Sequence, residues 1–255
     1  MTSLVATTWD AVVKARSEAD FYRISINLQQ LATPGDLKQL LDGSATVPPG
    51  NFRVWLENLY RWVTLHGQTP FVFGRRDLSK SVSLYSGENG AKTLVIGFCG
   101  RAQLLCAPLP VILQYFPPDL YDVLVLRDPN SQGFVDGIAG YSASFAGLLE
   151  KIEGDVNLGG YDSIRCWGTS GGAAAALAAG IRFEASRLVS FCGRPPTSSS
   201  FYGRKPAALD LEARLKKSSV AKGRAFGVYG ASHSQDKNNA LQLARLMEIA
   251  LIPIN

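Results

Sequence analysis

Histidine is nearly missing: the 255 residues hold two, His66 and His233. The four cysteines, Cys99, Cys106, Cys166 and Cys192, form no C-x-x-C pair and no paired Cys/His spacing. That leaves too little material for a zinc site, so no metal is expected. Each cysteine lies in or beside an apolar run, which predicts buried free thiols. No apolar run is long enough to span a bilayer. The opening "MTSLVATTWDAVVKARSEAD" has no basic n-region and no long apolar h-region, so no signal peptide and a cytoplasmic location are expected. Lys and Arg are scattered without a block of five or more, and the net charge of +5 is mild. No nucleic-acid partner is expected; the basic balance suits a solvated surface with a preference for anionic ligands. G-x-x-x-x-G-K-[ST] is absent and G-x-G-x-x-G does not occur, which argues against a phosphate loop and a dinucleotide fingerprint.

What is present reads as a globule, with 46% hydrophobic and 18% charged residues. The length suits one large α/β domain, or one with an added subdomain. "WDAVVKARSEADFYRISINLQQLA", "GDLKQLLDG" and "FRVWLENLYRWVTL" carry apolar residues at helical spacing: Trp9, Val12 and Val13; Leu37, Leu40 and Leu41; Val54, Leu56, Leu59, Trp62 and Val63. "TPGD" at 33–36 is a helix start. His66 closes this region as a surface or helix-end residue. From Phe71 the pattern changes. "FVFGRRDLSKSVSLYSG" predicts one or two strands. Five further apolar runs follow, "AKTLVIGFCG", "YDVLVLRDP", "YDSIRCWG", "ASRLVSFCG" and "GRAFGVYG", and "ALIPIN" begins a sixth. Helical segments alternate with them. This order predicts a mostly parallel central sheet with helices on both faces. The expected division is a helical segment over 1–68, packing on or capping the rest, and an α/β domain over 69–255.

The stretch "RCWGTSGGAAAALAAG" runs from a strand into a helix of small residues. Within it, Gly168-Thr169-Ser170-Gly171-Gly172 fits G-x-S-x-G. A nucleophile elbow requires this context: the turn is sharp, and bulky groups two positions either side of the serine would collide where strand and helix meet. Gly168 and Gly172 meet that need. The Gly171 N–H could donate to a developing oxyanion at a helix N-terminus. Ligands of open α/β sheets also sit beyond the carboxyl ends of the strands, where Ser170 falls.

On "CWGTSGG", "LVIGFCGRAQ" and "AFGVYGASHSQDKNNA", the chain from about Phe71 onward resembles the α/β-hydrolase superfamily. The resemblance implies a serine hydrolase acting on an ester, thioester or related acyl bond, without a cofactor. It implies a second oxyanion N–H from the loop Cys99-Gly100-Arg101. It puts the acid after the second strand beyond the elbow, where Asp236 fits. It puts the histidine after the next strand, just beyond Asn255. Asp128, beside Pro129, reads as a turn-former without a catalytic part.

Three explanations of the base stay open. The sequence is clipped before the histidine; or His233 serves as base with Asp236, Asp210 or Glu212; or the chain is a silent descendant binding a carbohydrate or a protein partner. "CGRPPTSSSFYGRKP" opens on the same face and offers Arg194 and Arg204 to an anionic or sugar-like group, against the plainer reading of a solvated loop. The expected partner is a small-molecule or acylated substrate.

Overall fold

Short side chains decide where the first helices begin. Ser3 Oγ accepts the Ala6 amide and starts α1 (Leu4–Lys14). The chain does not run on as one helix from Trp9. Ser17 Oγ accepts the Asp20 amide, while Asp20 Oδ2 accepts the amides of Arg16 and Ser17 at 3.1 Å each. This capping box starts α2 (Glu18–Leu31) afresh, because it satisfies amides that a continuous helix would have bonded internally. Thr33 and Asp36 make the same reciprocal pair ahead of α3 (Pro34–Gly43). Next comes α4 (Asn51–Val63). The computed structural model describes residues 3–43, 51–65, 69–87, 93–198, 206–218 and 223–255; His66 and Arg204 lie outside them.

The chain divides into two compact units: Met1–Gly74 with Ala107–Pro118, and Arg75–Cys106 with Asp119–Asn255. The helical unit therefore reaches past residue 68 and takes in a second segment. That segment carries α5 (Leu109–Leu113), whose Val111 joins a cluster with Leu28, Leu37, Leu40 and Leu56. Each of those leucines is fully buried, worth about 1.5–3 kcal/mol apiece in transfer terms. In α4 the buried stripe is Phe52, Leu56, Leu59 and Val63. Val54 and Trp62, expected on the same face, point outward, as does Val13 of α1. Positions two apart on a helix do not share a face, so hydrophobicity alone overstated that stripe.

The second unit is an eight-stranded sheet in the order β1-β2-β4-β3-β5-β6-β7-β8. Its strands are β1 (Gly74–Ser79), β2 (Val82–Ser86), β3 (Thr93–Phe98), β4 (Tyr121–Leu126), β5 (Ser163–Thr169), β6 (Arg187–Phe191), β7 (Ala225–Gly230) and β8 (Ala250–Ile254). β2 runs antiparallel to β4, and all pairs from β4 to β8 are parallel. β3 and β4 are buried almost throughout, as unbroken apolar runs in a parallel sheet require. The helices are α6 (Phe145–Asp155), α7 (Ala173–Arg182), α8 (Pro206–Lys217) and α9 (Ser234–Leu246). All four contribute to one core with the strands, through Leu148, Leu177, Leu211 and Leu243 among others. Helix α7 lies closest. Its alanines 173–176 are buried, and Gly180 leaves room for Leu188.

Asp122, at the start of β4, is buried beside Tyr161, whose hydroxyl donates to Oδ2 at 2.7 Å. Burial raises its pKa above the ordinary 3.8, against the lowering hydrogen bonds from Tyr161 and the Gly87 amide. The folded state thus holds this proton more tightly than the unfolded chain. The stability that Asp122 contributes is fully present below the unfolded value and is lost as pH rises through the folded one. Asp122→Asn should flatten that fall, seen as a smaller difference between urea midpoints at about pH 4 and about pH 7.

Candidate active site

β5 carries Ser170 to its carboxyl end, where a turn of 3₁₀ helix, Ser170–Gly172, leads straight into α7. Ser170 has φ +51°, in the left-handed region that side chains disfavour. Such a conformation costs roughly 1–3 kcal/mol and persists only where its surroundings enforce it. The flanking glycines do the enforcing. A Cβ on Gly168 would lie 2.5 Å from Ala173 Cα and from the Gly172 carbonyl oxygen. A Cβ on Gly172 would lie 2.5 Å from the Phe98 carbonyl oxygen and 2.7 Å from that of Cys99. Those neighbours are backbone and cannot swing aside. On the far side the Arg194 amide donates to the Ser170 carbonyl at 3.1 Å. Arg194 therefore meets the elbow through its main chain.

A small cavity of about 10 Å³, the scale of a single water, lies beside the elbow. Cys99, Gly100, Arg101, Asp128, Phe134 and Gly171 help to line it. So Gly171 and the 99–101 loop, both expected at an oxyanion site, are brought to one cavity. Their roles differ, however. The Gly100 amide donates to the Leu104 carbonyl at 3.0 Å and so is already engaged within its own loop. What Gly100 contributes is closeness: its missing Cβ would lie 3.1 Å from the Thr169 oxygen and 3.4 Å from Ser170 Cβ. Gln103 Nε2 donates to the Asp128 carbonyl at 2.8 Å, tying this loop to the next. The Asp128 carboxylate accepts the amides of Asn130, Gln132 and Phe134 at 3.1, 2.6 and 3.1 Å. It braces its own turn, as its place beside Pro129 suggested.

His233 and Asp236 stand together after β7. His233 is the N-cap of α9, and its Nδ1 lies 3.3 Å from both the Asp236 amide nitrogen and Oδ1. Two arrangements fit these distances. With Nδ1 bare, it accepts the amide and caps the helix, and the proton sits on Nε2. With Nδ1 protonated, it donates to the carboxylate, and Nε2 of the neutral ring becomes an acceptor. The His233 side chain is 63% exposed and that of Asp236 is 26% exposed. Asp210 and Glu212, the other acids considered for His233, are taken elsewhere on α8. Asp210 pairs with Arg214, and Glu212 with Lys216 and the Thr197 hydroxyl. Among the described residues, no side chain hydrogen-bonds to Ser170 Oγ.

Two of the four cysteines depart from the expected burial. Cys99 and Cys166 are buried, and burial raises both thiols, Cys99 to about 12. Cys106 is exposed and Cys192 half-buried, because both sit in loops past strand ends with φ of +64° and +48°. Burial raises the Cys192 thiol first, and the charge of Asp236 raises it further, against the Gly230 amide. Sequence reading passed over Cys192. The available signal was its place directly after the strand that follows the elbow.

Among the described residues no group of three or more His, Cys, Asp or Glu side chains could hold a metal, and no helix is long and apolar enough to cross a membrane.

No protein-family model matches the sequence. No curated protein matches it either. Solved structures do. The acylaminoacyl peptidase of Pyrococcus horikoshii superposes with a TM-score of 0.51 at 12% identity, over 77% of this chain and 39% of that one. An α/β hydrolase enzyme from a sediment metagenome of the Mar Chica lagoon, Morocco, gives 0.47 at 17% identity, over 71% and 88%. The capsule O-acetyltransferase of Neisseria meningitidis serogroup A gives 0.46 at 14% identity, over 74% and 89%. The first of these likenesses shows a shared fold, and the chain's own sheet, parallel from β4 to β8 with β2 antiparallel to β4, is that of the α/β-hydrolase fold.

Proposed function

We propose that the protein is a serine hydrolase that cleaves an ester, thioester or related acyl bond, with Ser170 as nucleophile. The observation that carries this reading is the strained Ser170 backbone, held between two glycines whose Cβ atoms would strike main chain. Strain of this kind is costly to keep, and it exposes the hydroxyl above the helix N-terminus. Asp236 orients a histidine, for which His233 is the candidate in this chain. With its Nδ1 proton directed at Asp236, Nε2 accepts the Ser170 proton as Oγ bonds to the acyl carbon. The Gly171 and Arg101 amides serve the oxyanion. Collapse breaks the bond to the leaving group, which takes the proton back from the imidazolium, and water then repeats the cycle on the acyl-serine. For His233 to act so, it must leave its cap and bring Nε2 to Ser170. Arg194 and Arg204 are candidates for contact with an anionic or sugar-like substrate group.

One observation favours a second reading. With no base at Ser170 Oγ among the described residues, the elbow could survive as architecture in a protein that binds a carbohydrate or a protein partner. A fluorophosphonate probe separates the two, since it needs an activated serine. Labelling of wild type that is lost in Ser170→Ala supports the hydrolase; a folded protein that takes no label supports binding.

A further inference from the structure

The ends of three strands stand in a row. Thr169 of β5 is in register with Phe191 of β6, and Phe191 with Val228 of β7. One residue further on come Ser170 and Cys192. The Cys192 amide donates to the Val228 carbonyl at 2.8 Å, fixing Cys192 to β7. Two residues later the Arg194 amide fixes the same loop to Ser170. On β7, Asp236 Oδ2 lies 3.5 Å from where a Cβ on Gly230 would stand. Cys192 thus occupies the strand end between the nucleophile and the Asp236 carboxylate.

We propose that Cys192 is a positioning residue, whose S–H donates to the Asp236 carboxylate and holds it toward His233. This rests on the roles given above to Ser170 and Asp236. Asp236 sits in the first turn of α9, part-exposed, with Oδ1 3.3 Å from His233 Nδ1. A carboxylate with one weak partner rotates toward water. A second donor from the protein side fixes its plane, and with it the tautomer of the histidine. The thiol is fitted to this task because its surroundings keep it protonated: burial raises its pKa first, and the charge of Asp236 raises it further. A nucleophilic or redox-sensing cysteine needs the opposite environment.

Two variants separate donation from packing. Cys192→Ser keeps a donor and Cys192→Ala removes it, while both remove the sulfur. Fluorophosphonate labelling of Ser170 should slow about tenfold in the alanine variant and recover in the serine variant. Equal rates in the two would overturn the positioning role. A second arm needs no activity. Asp236→Asn removes the charge beside the thiol, so alkylation of Cys192 by iodoacetamide, followed by peptide mass spectrometry, should speed up several-fold at about pH 8. An unchanged rate would overturn the contact itself. If wild type takes no fluorophosphonate, the hydrolase reading fails, and the alkylation rate alone decides whether thiol and carboxylate meet.

Discussion

Gly168→Ala should cost more than about 3 kcal/mol of stability, or prevent folding outright. The added methyl carbon has no free volume to enter. It would sit 2.5 Å from Ala173 Cα and the Gly172 oxygen, and 2.6 Å from Ala176 Cβ. Relief requires α7 to move off β5, which uncovers the buried alanines that let the helix lie against the sheet. Gly180→Ala is the control. Its Cβ would lie nearer still to an atom, 1.8 Å from Leu188 Cδ2, but that atom ends a side chain that can change rotamer. The cost there should be the ordinary overpacking figure of about 1–3 kcal/mol. Chemical melts of the two variants should therefore rank in reverse order of the raw distances. Equal losses would show that the turn has more slack than its backbone contacts imply.

Ser170→Gly should stabilise the protein while abolishing its chemistry. At φ +51° the serine pays for a conformation that glycine adopts freely, so relief of about 1 kcal/mol is expected, raising the urea midpoint. Ser170→Ala removes the hydroxyl but keeps the strain, so its midpoint should stay near that of wild type. On the mechanism proposed above, both variants lose acyl transfer by at least about 1,000-fold, since Ser170 is its nucleophile. A gain in stability with glycine and none with alanine assigns the difference to the backbone. A loss with glycine would mean that the turn is not strained in solution.

Much of the fold was legible because the sequence repeats one arrangement, an apolar run followed by a helix. Runs such as "TLVIGF" and "YDVLVL" are buried on both faces and so are unbroken, and the runs identified from Thr93 onward correspond to β3 through β8. The break between α1 and α2 was not legible from hydrophobicity, since it is made by Ser17 and Asp20, two polar side chains bonded to each other's amides. The placement of Val111 with the first helices was hidden for a different reason. "LPVIL" is short and apolar, and only a tertiary partner decides where such a piece packs.

The elbow was legible because glycine spacing around Ser170 reflects collisions local to one turn. The rest of the site depends on neighbours distant in sequence. That the Gly100 amide turns back to Leu104, and that the amides of Cys192 and Arg194 tie one loop to both β7 and Ser170, follows from how loops after β3, β6 and β7 converge. No spacing rule within one segment carries that information.

The most direct test is active-site labelling of the whole chain. Wild-type protein, checked for its fold by circular dichroism, is incubated with a fluorophosphonate and digested, and the modified residue is read by mass spectrometry. The account expects one phosphonylated serine, Ser170, with labelling lost in Ser170→Ala and weakened in Asp236→Asn. A folded protein that stays unlabelled, or one labelled equally with and without Ser170, would contradict it.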